Sequence, residues 1–161
     1  LLVGRSYGSP IVAQFAADYP DLVDGCVLLA PALDPKKEKF WWFSPLGLLD
    51  GIRNLLPNAL NVATDEKYSH KRELRKLAKD LEKITVPVTV IQGGKDKLVH
   101  PNNLQYAGKM LQSAQTELIY LPEDNHHISR NRPDLVKHYL LQHHTNYVKR
   151  YSPEAGQLGG R

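Results

Sequence analysis

The strongest constraint on this chain lies in its first eight residues, where the apolar run Leu1-Leu2-Val3 enters Gly4-Arg5-Ser6-Tyr7-Gly8. A serine with a glycine two residues to either side, placed after a β-type run and followed by helical periodicity, belongs to a sharp strand-to-helix turn. Such a turn projects the hydroxyl from the end of the strand. Gly4 and Gly8 are expected to keep side chains out of the space where the helix start crosses the strand.

The alternation of elements then fixes the fold class. Val12, Phe15, Ala16 and Tyr19 recur at helical spacing, and Pro20 ends the stripe. Three apolar runs read as strands: residues 25–30, residues 88–92 between Pro87 and Gly93-Gly94, and residues 116–121 before Pro122. Pro101 opens a helical pattern carrying Leu104, Ala107, Gly108 and Leu111, and Pro133 opens another with Val136, Tyr139, Leu140 and His143. Strands separated by helices predict an α/β chain with a parallel sheet of about four strands and flanking helices.

Residues 31–84 form a long insert without strand patterning, carrying an amphipathic stretch at Leu74, Leu77, Ala78, Leu81 and Ile84. It is expected to be a helical cap over the C-terminal edge of the sheet, inserted between core segments 1–30 and 85–150. The glycine-rich tail 151–161 is expected to be disordered. The chain opens with a leucine inside a strand, so it reads as a piece of a longer protein.

Composition narrows the functional classes. With 42% apolar and 24% charged residues, the 161-residue chain suits one globular domain, and no apolar run is long enough to cross a bilayer. The compartment stays open, with the cytoplasm favoured. The net charge of +4 comes from cations interleaved with acids, as in Lys71-Arg72-Glu73-Leu74-Arg75-Lys76, which describes a solvated helix face rather than a nucleic-acid surface. The single cysteine, Cys26, lies in an apolar run and is expected to be a buried thiol.

A serine nucleophile needs a base, and the base needs an acid to orient it, each beyond the end of a later strand. Asp96 follows the third strand in Gly93-Gly94-Lys95-Asp96, and His126 follows the fourth in Glu123-Asp124-Asn125-His126-His127. The backbone N–H of Tyr7, next to Ser6, is a candidate oxyanion donor. Asp65, Asp124 and His127 are weaker alternatives for the acid and the base. No His-Glu-x-x-His motif or cysteine pair suggests a metal, and no cofactor is implied.

Over residues 1–150 the chain resembles the C-terminal portion of an alpha/beta-hydrolase-fold protein. The landmarks are Gly4 to Gly8, Val86-Pro87-Val88 leading to Gly93 through Asp96, and Asn125-His126 followed by Arg132-Pro133. In that family the catalytic histidine typically precedes the proline of the last helix by seven residues, which selects His126 over His127. The resemblance implies a Ser6–His126–Asp96 triad acting on a small-molecule ester or acyl substrate. It also implies upstream strands and a loop with a second oxyanion donor, neither present in this sequence. Losing one such donor costs about 2.7–4 kcal/mol of transition-state stabilisation. The isolated chain is therefore expected to be a poor catalyst, with an open sheet edge prone to self-association.

Two readings compete with the hydrolase: a catalytically silent remnant that binds a partner, and a lipid-interface module. The second draws on Phe40-Trp41-Trp42-Phe43 beside Lys36, Lys37 and Lys39. Trp41 and Trp42 are also candidates to line an apolar substrate pocket.

Overall fold

The computed structural model describes residues 1–37 and 71–151. Four strands, β1 (Leu2–Arg5), β2 (Cys26–Leu29), β3 (Val88–Gly93) and β4 (Thr116–Leu121), form one parallel sheet in the order β1-β2-β3-β4. The two central strands are wholly buried, as their continuous apolar sequences require in a sheet covered on both faces.

Side chains alternate across the sheet and so separate two cores. On one face Cys26, Leu28, Val88 and Val90 meet helix α1 (Gly8–Asp18) and helix α2 (Asn103–Met110). On the other, Val27, Leu29 and Ile91 meet Ile128 of the short α3 (Ile128–Asn131) and Tyr139 of α4 (Pro133–Tyr151). Every segment between consecutive strands thus returns the chain to the same end of the sheet, and all four strands end at one rim. Burial pushes the Cys26 thiol up to about 11, so this cysteine stays protonated and unreactive.

Two packing details differ from the sequence expectation. The buried face of α1 consists of the small residues Ser9, Ala13, Ala16 and Ala17, while Ile11, Phe15 and Tyr19 are exposed. Small residues let the helix lie close to β1 and β2, and this close approach overrides the stripe formed by the larger side chains. Secondly, residues 71–77 are helical, and Leu74, Leu77, Leu81 and Ile84 pack in the same core as Ala13 and Ala16. Gln14 of α1 also donates to Asp80 at 3.3 Å. Packing therefore places 71–84 in the helical layer of the sheet, although the sequence pattern suggested that this stretch belongs to a cap. The remainder of the expected cap, 38–70, and the tail from 152 lie outside the described residues.

Candidate active site

Ser6 sits where β1 turns into α1, with the left-handed backbone angle φ 51° that a non-glycine residue rarely adopts. Three backbone hydrogen bonds hold this strained turn: Ser6 N–H donates to the Leu29 carbonyl at 2.9 Å, and the Ser6 carbonyl accepts from Ser9 at 3.1 Å and Ala32 at 3.4 Å. Gly4 is needed here because a Cβ at that position would stand 2.7 Å from Ser9 Cα. Gly8 has no such role among the described residues, since a Cβ there would meet nothing within 4 Å. Its expected steric duty is therefore not observed.

Two strands away, Asp96 lies just beyond β3 and is almost fully buried. Its carboxylate accepts four hydrogen bonds. Oδ1 takes the backbone N–H groups of Leu98 and Val99, both at 2.9 Å. Oδ2 faces His126 Nδ1 at 2.8 Å and the Gln92 side-chain amide at 3.2 Å. With a carboxylate as acceptor, His126 Nδ1 is the donor, leaving Nε2 as the nitrogen able to accept a proton. His126 is itself buried, after β4.

The Asp96 and His126 loops are interlocked by backbone contact. Gly94 N–H donates to Leu121 O at 2.8 Å and Lys95 N–H to Asp124 O at 2.9 Å. A Cβ on Gly93 would come within 2.5 Å of Asp124 O and 2.6 Å of Asn125 O. Neither Gly93 nor Gly94 has a positive φ, so their function is close approach of two loops rather than the tight turn read from the sequence. Asp124 is engaged elsewhere, accepting from Arg132 Nε at 2.9 Å, and so does not orient His126. Asn125 Oδ1 accepts from the His127 N–H at 2.9 Å and from Asn131 at 3.1 Å, bracing the same loop.

The histidine loop also reaches back across the sheet. Arg5, adjacent to Ser6, lies 3.0 Å from His127 Nδ1, adjacent to His126, and the guanidinium must be the donor. Ile128 is buried against Val27, Leu29, Ala30 and Ile91, which anchors the loop over the middle strands. Asp96 and His126 are thus joined directly, and Ser6 is linked to them through neighbouring residues. No hydrogen bond joins the Ser6 hydroxyl to His126 among the described residues. Tyr7 forms the N-terminal cap position of α1 with its side chain half exposed, while Trp41, Trp42 and Asp65 lie outside the described residues.

Three participants were missed in the sequence. Gln92 is signalled by a polar residue at the end of a buried apolar strand, and Arg5 by a charge at the strand-to-helix turn. Asn103 carries no comparable signal, yet it is buried and its Oδ1 accepts from the Leu33 and Asp34 N–H groups, both at 2.7 Å. It fixes the chain leaving β2.

A family model described as alpha/beta hydrolase fold matches residues 1–75. The Paleococcus ferrophilus monoacylglycerol lipase structure superposes with a TM-score of 0.65 at 18% identity, covering 88% of this chain and 67% of the lipase. The chain has the alpha/beta-hydrolase fold. A second hydrolase of this fold, MGS-MChE2 from the metagenome of Mar Chica lagoon sediments, gives a TM-score of 0.60 at 17% identity, covering 93% of this chain and 61% of that enzyme. Among curated proteins, the proline iminopeptidase PfmaB of Pestalotiopsis fici is 29% identical over 93 residues, or 57% of this chain. The chain spans 32% of the length of that relative. Among the described residues no helix of this alpha/beta-hydrolase-fold chain is long and apolar enough to cross a membrane.

Proposed function

We propose that this chain supplies the nucleophile, base and acid of a serine hydrolase that cleaves an ester or related acyl bond. The observation carrying the reading is the buried Asp96–His126 hydrogen bond of 2.8 Å, on a loop tied by Arg5 to the turn that bears Ser6.

In the reaction, Ser6 Oγ attacks the acyl carbon while His126 Nε2 takes the hydroxyl proton, and Asp96 Oδ2 stabilises the imidazolium through Nδ1–H. The carbonyl π bond opens onto oxygen, and the Tyr7 N–H at the start of α1 helps hold that oxyanion. Collapse of the intermediate expels the leaving group, which receives the proton from His126, and leaves an acyl-Ser6 ester. Water then repeats the sequence and regenerates the free hydroxyl. The hydrogen bond between Ser6 and His126 forms when the site closes on substrate, since such bonds are often long in empty sites.

The fold does not select a substrate. The names of similar proteins include a lipase, an iminopeptidase, a thioesterase domain and a meta-cleavage product hydrolase. An ester is the reading preferred here because ester cleavage asks least of the oxyanion site. A catalytically silent remnant is the second reading, favoured by the Ser6 hydroxyl having no hydrogen bond to His126 among the described residues.

A fluorophosphonate probe separates the two. Covalent labelling that disappears in Ser6→Ala supports the hydrolase, whereas a folded, unlabelled wild-type chain supports the silent remnant.

A further inference from the structure

Among the described residues, Gln92 and His126 are the side chains that hydrogen-bond to Asp96 Oδ2. It is wholly buried near the end of β3, and strand register sets it level with the residues that follow Arg5 of β1 and Leu29 of β2. Its amide nitrogen lies 3.2 Å from Asp96 Oδ2 and 3.2 Å from the Gly93 carbonyl. Both neighbours are acceptors, so the amide can take one orientation, with nitrogen toward them. That orientation leaves Oε1 buried without a partner among the described residues.

A buried, unpaired acceptor is unfavourable, and a methionine of similar shape would fill the space without it. What the glutamine adds is a donor directed at the oxygen that serves His126. From this geometry we infer that Gln92 is a positioning residue. It pins the Asp96 carboxylate in the plane that His126 requires, and it withdraws part of the negative charge that Oδ2 would otherwise present to the imidazole. This inference rests on the proposed Ser6–His126–Asp96 reading only for its effect on rate. Its effect on His126 stands independently.

The direction of the charge effect follows from the bond. Removing the competing donor concentrates charge on Oδ2 and strengthens the bond that this oxygen accepts from His126 Nδ1–H. Among the described residues near this rim, Arg5 donates to His127, Arg132 pairs with Asp124 and Lys95 pairs with Glu123, and none of these contacts involves Gln92.

The test compares the wild-type chain with Gln92→Met by thermal unfolding, by the nuclear magnetic resonance position of the His126 Nδ1 proton, and by fluorophosphonate labelling rate. The variant is expected to keep or raise its unfolding temperature, to move the Nδ1 proton resonance downfield as Oδ2 becomes the stronger acceptor, and to label about tenfold more slowly. An unmoved Nδ1 proton resonance in the folded variant overturns the inference, whatever the labelling rate. If Gln92→Met does not fold, Gln92→Leu removes the same donor with a shorter side chain. The Nδ1 proton must then move the same way, and its failure to do so is equally decisive. A wild-type chain that folds but does not label defeats the hydrolase reading, while the Nδ1 proton still decides the role of Gln92.

Discussion

At the β3–β4 end of the rim, Asp96 and His126 lie under two loops in van der Waals contact, and every oxygen of the carboxylate is held by donors. At the β1 end, Ser6 stands on an edge strand whose Val3 is 48% exposed, followed by a helix whose Ile11 is 73% exposed. The Asp96–His126 pair is therefore held in place within the described residues, whereas Ser6 is positioned by its backbone turn and by the Arg5–His127 contact beside it. Two ends of one rim can thus differ in how firmly side-chain contacts fix them.

Substitution at the rigid end carries the largest expected effect. Asp96→Asn keeps the shape but can donate to His126 and so favours the wrong tautomer, which should slow labelling or ester hydrolysis on the order of 10⁴-fold. A loss of less than tenfold, measured as the labelling rate of folded protein, would remove Asp96 from the acid role.

Glycine replacements extend the contrast between the two ends to stability. Gly93→Ala sets a methyl against Asp124 O and Asn125 O and is expected to cost about 1–3 kcal/mol in denaturant unfolding. Gly8→Ala meets open space and is expected to be neutral or stabilising by up to about 1 kcal/mol. Equal effects would mean that the two ends of the rim are equally constrained.

The link between the ends has a smaller effect. Arg5→Met removes the hydrogen bond to His127 and should reduce labelling about fivefold, with little change in unfolding temperature. Unchanged labelling would show that Ile128 alone carries the histidine loop back across the sheet.

A titration remote from the rim provides the smallest effect. His143 bonds to Thr89 Oγ1 at 2.9 Å, and burial lowers its affinity for a proton below the ordinary midpoint of 6.5. The unfolded chain then binds the proton first, so stability is retained above about pH 6.5 and falls as pH drops toward the lower folded-state midpoint. His143→Gln should flatten this part of the stability curve, measured by thermal unfolding from pH 5 to 8, which brackets the ordinary titration range.

The parallel sheet was legible because each strand is a short apolar run bounded by Gly or Pro, and because helices separate the strands. The positions of Asp96 and His126 were legible because side chains at this kind of rim must follow strand ends. What the sequence hid was contact. It did not reveal that α1 buries alanines in preference to Phe15 and Tyr19, or that 71–84 joins the core. The same limit applied to Gly93, which in isolation looks like a turn former and in the fold is a clearance between loops. Periodicity reports which residues share a face, but distance between elements decides which face is used.

Fluorophosphonate labelling followed by peptide mapping, applied to the wild-type chain and His126→Ala, decides whether the Ser6 hydroxyl and the His126 imidazole work in one site. An adduct on Ser6 is expected in the wild type and is expected to be lost in the folded variant. An adduct on another residue, or equal labelling of Ser6 in both proteins, would mean that the two groups do not act together.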